Sequence, residues 1–118
     1  MGDKTFEKDE IWKDIVSFPN YEVSSFGRVR SSQRVNPIIL VQRLSKAGYP
    51  IVTLNRNGRP HQLTVNKLVL RAFNGPRPLG YETHHIDRIR QNNHISNLEW
   101  VEKRNHKRKY HNKHNLHH

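Results

Sequence analysis

Residues 81–109, YETHHIDRIRQNNHISNLEWVEKRNHKRK, constrain the chain more than any other stretch. Their middle, 87–96, is dense in turn formers and amide side chains and makes a poor core segment. Ile86 stands before that loop and Leu98, Glu99, Trp100 and Val101 follow it, an alternation of apolar and polar residues that suits a returning strand. Beyond Val101 the text reads EKRNHKRKYHNKH, rich in helix formers and without Pro or Gly, so a helix is expected to begin near Glu102. Strand, ordered loop, strand, helix is a compact unit. It can gather imidazoles from its first strand (His84, His85) and its helix (His106) around one ion, with Asn97 at the end of the loop.

The order HHID, NN, NLEWV and then a polar helical residue resembles the HNH nucleases, the ββα-metal group, and most closely the HNH homing endonucleases of phages and mobile introns. The likeness is wider than the motif. EIWKDI…FPNYEVSSFGRVRS (10–31) resembles the short module that often precedes HNH domains in homing endonucleases, and VNKLVLRAFNGPRP (65–78) the helix that leads into their hairpin. It extends from about residue 10 to about residue 112.

The resemblance implies a metal-dependent endonuclease that hydrolyses phosphodiester bonds in double-stranded DNA, as a site-specific nick or double-strand cut. The alternative is a non-catalytic nucleic-acid-binding protein on a degenerate HNH scaffold. It implies His85 as general base, Asn97 as the amide that orients the base and ties the loop, and His106 as a metal ligand on the helix. The position before the base is often Asp in phage homing endonucleases, but here it is His84. A His-His pair also occurs in the nuclease bacteriocins, where the first His binds metal and the second is the base; carried over, His84 is a ligand. The expected cofactor is one divalent ion, Mg²⁺ or Mn²⁺, with Co²⁺, Ni²⁺ or Zn²⁺ as further candidates. Imidazole suits the transition ions better than Mg²⁺, so Mn²⁺, Co²⁺ or Ni²⁺ should support cleavage at least as well. Asp87 is expected to cap the loop, Asn92 and Asn93 to satisfy loop backbone, and Asn66 to have no catalytic job; His111 is a weaker third-ligand candidate.

Charge points to the same partner. The formal net charge is +11, yet the first 22 residues carry three Lys against six acids, leaving eighteen Lys and Arg against four acids beyond them. With no amphipathic apolar face of helical length to insert, nucleic acid fits that excess better than a membrane. Contacts are expected from Arg28 and Arg30, from Arg34, Arg43, Lys46, Arg56 and Arg59 on strands and turns where few acids offset them, and from Lys103, Arg104, Lys107 and Arg108 along the last helix. There is no Cys, which removes disulfides and thiolate metal sites. The text shows neither a long apolar run nor a signal peptide. The expected setting is therefore cytoplasmic, and the resemblance implies a phage-infected bacterial host; a monomer or weak dimer with no small-molecule cofactor is expected.

The rest of the chain reads as antiparallel β-structure. Tyr21 and Val23, the SSFG turn, then Val29 between Arg28 and Arg30 suggest two short strands around Gly27 with Val29 inward. Further strands are expected over 38–42, 49–54 and 61–64, the last two joined at Asn57-Gly58, the strongest hairpin signal present. Val65, Leu68, Val69, Ala72 and Phe73 form a helical stripe after Thr64 as N-cap, ended by Asn74-Gly75-Pro76. The expected fold is α+β. A small N-terminal antiparallel sheet module (1–62) contacts DNA, and a linking helix then opens an HNH nuclease region (63–118) that ends in a ββα-metal unit and a basic, His-rich tail. With 33% hydrophobic residues the core must be thin.

Overall fold

The computed structural model describes residues 9–32 and 35–103. It is an α+β chain with three antiparallel sheets and a helix at their junction. The first sheet runs β1 (Trp12–Ile15), β2 (Phe18–Ser24), β3 (Val29–Ser31), β4 (Ile38–Ile39) in chain order. The second comprises β5 (Arg43–Leu44), β6 (Pro50–Arg56) and β7 (Arg59–Thr64). Helix α1 (Val65–Asn74) follows β7 directly, and β8 (Tyr81–His85) pairs with β9 (Leu98–Glu102).

The turns follow their residue chemistry. Asn57 (φ +54°) and Gly58 (φ +75°) both take the left-handed conformation that a two-residue hairpin needs, and the β6–β7 register is continuous up to Arg56 opposite Arg59. The expected strand over 38–42 is shorter: Ile38–Ile39 completes the first sheet, and Arg43–Leu44 already belongs to the second. The chain switches sheets between them, so no single pairing partner can serve the whole stretch.

Helix α1 carries the apolar stripe inward. Val65, Leu68, Val69 and Leu70 are buried against Ile15, Phe18, Val23, Val29, Val52, Leu54 and Leu98 in one hydrophobic cluster. That cluster takes residues from all three sheets and crosses position 62/63, so the two family-like segments share one core. Truncating a fully buried member such as Leu70 to Ala removes about 2–5 kcal/mol. Thr64 stands at the N-cap position but makes no capping bond, and its Oγ1 is buried without a partner among the described residues. Asn66, the second residue of the helix, is buried too; its Nδ2 donates to Thr83 Oγ1 at 3.0 Å and fastens the helix to β8. No described helix is long and apolar enough to cross a membrane.

Candidate active site

His85 ends β8, opposite Leu98 in the hairpin register. Side chains alternate along a strand, so His85 turns toward the core side with Thr83, while His84 faces the other side opposite Glu99. Both nevertheless border one cleft of about 810 Å³, with Tyr49, Arg88, Arg90 and Glu99 among its walls. The His85 side chain is buried, and its Nε2 lies 2.8 Å from Asn93 Oδ1. An amide oxygen only accepts, so Nε2 holds the ring proton and Nδ1 is left as the basic nitrogen. The Tyr49 ring, from the turn between β5 and β6, lies 6.1 Å from the imidazole, and the Arg90 guanidinium sits 4.9 Å from the Tyr49 centroid.

The loop 86–97 is a closed hydrogen-bond system. Asn97 is buried; its Oδ1 accepts from the Asp87 amide at 3.0 Å, and its Nδ2 donates to Asp87 Oδ1 and to the Asn92 carbonyl, each at 2.9 Å. Asp87 also accepts from Asn92 Nδ2 at 2.7 Å and from the Ile89 amide at 2.8 Å. These donors, Asn92 foremost, hold its carboxyl below the ordinary Asp range. Asp87 thus caps the loop as expected, and Asn97 ties its two ends. The side chain that meets the His85 imidazole is Asn93, not Asn97. Nothing in the text separates Asn93 from Asn92 beside it, and only the path of the turn sends one to His85 and the other to Asp87.

For a metal, the described residues offer a half-exposed imidazole and a carboxylate: His84 Nε2 and Glu99 Oε2 stand 3.9 Å apart across the strand pair. A mixed nitrogen and oxygen set suits a first-row divalent ion, so these donors fit one. No group of three such donors occurs among the described residues. His106, the ligand expected from the helix, lies outside them, as do His111, Arg34, Arg104, Lys107 and Arg108.

The expected DNA-contacting cations divide. The structure gives Arg28 and Arg30 carboxylate partners. Arg28 Nε donates to Glu10 at 2.8 Å, and Arg30 Nε donates to Glu22 at 2.7 Å while its guanidinium covers Trp12 at 4.0 Å. The acidic N-terminal segment forms β1 and β2 beside β3, which brings its carboxylates onto the basic strand. Arg56 donates to the Ser17 carbonyl and covers Phe18. Arg43, Lys46 and Arg59 remain exposed. A second cleft, about 570 Å³, shares Tyr49, Tyr81 and Thr83 with the first and carries Lys67, Arg71, Arg77 and Lys103 against one acid, Glu82. Of those four, sequence reasoning named only Lys103. The apolar stripe of α1 hid that its other face borders this cleft.

Comparison with known proteins identifies two family segments and a similar fold. Residues 65–108 match the HNH endonuclease family, and residues 10–55 match the NUMOD4 motif. The H-N-H endonuclease F-TflII of Escherichia phage T5 is 32% identical over 102 residues, 85% of this chain and 52% of its own length. An uncharacterized HNH endonuclease, L245, of Acanthamoeba polyphaga mimivirus is 35% identical over 91 residues, 76% of this chain and 26% of its own. A solved structure titled "DNA binding and cleavage by the HNH homing endonuclease I-HmuI" superposes with a TM-score of 0.74 at 28% identity, covering 87% of this chain and 59% of that one. The fold and hairpin define the class, an α+β protein built on an HNH hairpin. Residues 65–108 thus form an HNH endonuclease segment, with a NUMOD4 motif ahead of it over residues 10–55. The chain spans about a quarter and about half of the two curated relatives.

Proposed function

We propose that the protein is a metal-dependent DNA endonuclease that hydrolyses a phosphodiester bond in the cleft beside β8, as a homing enzyme of the phage type. One observation carries the reading: a buried imidazole, held by an amide oxygen on Nε2, stands at the wall of a cleft that also holds Arg88, Arg90 and a second imidazole. Neutral His85 takes a proton from water at Nδ1. His84 and Glu99 opposite it, with His106 as the expected further ligand, would hold the divalent ion. When bound, that ion supplies positive charge for the phosphate oxygens and the departing 3′ oxygen. Arg88 and Arg90 hold the phosphate, and Asn97 keeps the loop that carries them in shape.

The duplex backbone runs from this cleft across Tyr49 and Thr83 into the second one, where Lys67, Arg71, Arg77 and Lys103 meet flanking phosphates. Such contacts give affinity without base preference. The donor set favours Mn²⁺, Co²⁺ or Ni²⁺ at least as well as Mg²⁺. Incubation with supercoiled plasmid and Mn²⁺ tests the reading. Wild type nicks, while His85→Ala binds DNA equally and loses at least about a hundredfold in rate. Equal nicking by His85→Ala, or binding without nicking by the wild type, refutes it.

A further inference from the structure

The base is held by Asn93, and Asn93 is itself pressed from behind by the upstream module. Gly27 lies in the turn between β2 and β3 with φ +88°, and a Cβ placed on it would stand 2.9 Å from both Asn93 Cβ and the Asn93 carbonyl oxygen. No carbon sits that close without displacing its neighbour, so the backbone of the turn is the wall against which Asn93 rests. The contact is reinforced on either side. The Ile95 amide donates to the Ser25 carbonyl at 2.9 Å, and the Phe26 and His94 rings stack with centroids 5.3 Å apart.

The turn is rigid in its own right. Ser24 Oγ accepts from the Phe26 and Arg28 amides at 3.1 and 3.0 Å, and Ser25 Oγ accepts from the Ile11 amide at 3.0 Å. Gln42 Nε2 donates to the Gly27 carbonyl at 2.8 Å, and Ser24 and Ser25 are both buried. A support bonded from several sides does not yield, and Asn93, itself buried, has little room to turn its amide. The serines, the glycine and the asparagine otherwise read as ordinary turn chemistry in two separate segments.

We propose that the turn at residues 24–27 fixes the tautomer and orientation of His85 through Asn93, with Gly27 and Phe26 acting as positioning residues for a base they do not touch. The upstream module then has a second task besides meeting DNA: it completes the nuclease site. The proposal rests on the reading of His85 as the base, but the tautomer can be measured without cleavage.

The experiment uses the full chain with ¹⁵N-labelled histidine and no metal, at about pH 8.5, roughly two units above the ordinary imidazole value. Long-range proton–nitrogen spectra report the tautomer of each ring, and the His85→Gln spectrum identifies which signals are His85. Wild type shows the Nε2–H form alone. Asn93→Ala converts His85 to an exchanging mixture and slows single-turnover nicking about tenfold to a hundredfold at unchanged DNA affinity. Gly27→Ala also strains a left-handed backbone, so Phe26→Ala, at a more exposed position, is the gentler probe; it shifts the tautomer the same way and slows nicking severalfold.

The double variant Phe26→Ala/Asn93→Ala is no slower than Asn93→Ala alone, because both act along one path. A loss that arose only from general destabilisation would add instead. An Nδ1–H form in the wild type overturns the proposal. So does a Phe26→Ala protein with unaltered tautomer and rate, or a double variant slower than either single one. If the tautomer responds as described while even wild type fails to cleave, the positioning relay stands and the nuclease reading falls.

Discussion

At the scale of single residues, the chemistry turns on which atoms two neighbouring imidazoles present. His85 has a partner on Nε2 that only accepts, and His84 has a carboxylate across the strand pair at 3.9 Å. The two are adjacent in the chain but differ in surroundings because strand residues alternate faces. Replacing the His84 imidazole by a hard oxygen donor should move metal preference. His84→Asp is expected to raise the Mg²⁺-supported rate relative to the Mn²⁺-supported one by about tenfold, read as the ratio of nicking rates in the two ions. An unchanged ratio removes His84 from the ion. His85 and Asn97 are legible in the text because they sit at fixed places in a recognisable pattern. Asn93 is not, because a turn of mixed amides leaves open which one faces inward.

At the scale of elements, the hairpin β6–β7 and helix α1 follow local rules. Asn-Gly dictates the turn, and the i, i+3, i+4 stripe dictates the helix. The first sheet needs more than local rules. Its basic strand β3 sits beside β2, and Glu10 reaches Arg28 from the segment before β1. That Arg28 hydrogen bond lowers the Glu10 pKa. A lowered folded-state value means stabilisation that is fully present above the unfolded carboxylate pKa, about 4.3, and is lost as pH falls through the folded value. Glu10→Gln is therefore expected to unfold at lower denaturant than wild type at pH 7, with the two midpoints converging as the pH falls through the lowered folded-state value. A gap that persists in acid would assign the effect to packing instead. Neither the sequence spacing nor the excess of cations reveals this pairing, since residues 10 and 28 meet only through the register of β1, β2 and the turn.

At the scale of the whole molecule, charge and core are arranged across the segments rather than within them. One hydrophobic cluster joins the three sheets to α1, and the loop 86–97 touches the first sheet at Ser25 and Gly27 and the second at Ala47 and Gly48. Arg88, Arg90, Lys67, Arg71, Arg77 and Lys103 line two clefts that share Tyr49, Tyr81 and Thr83. If those six neutralise phosphates, log K for duplex DNA falls with log salt at a slope of about −5. Lys67→Gln/Arg71→Gln should make that slope shallower by about 2 with the fold intact, measured by fluorescence anisotropy over a salt series. An unaltered slope would move the DNA off α1 and back to the exposed cations of the sheets.

The sequence by itself determined the kind of chemistry and the local elements. Histidine, asparagine and a basic excess carry their properties wherever they fold, and hairpin turns and helical stripes are decided by neighbours along the chain. The tertiary structure alone decided which asparagine meets His85, which arginines are already engaged by carboxylates, and that a glycine in the β2–β3 turn stands behind Asn93. Those are contacts between residues dozens of positions apart, and their geometry is set by how sheets meet over a shared core.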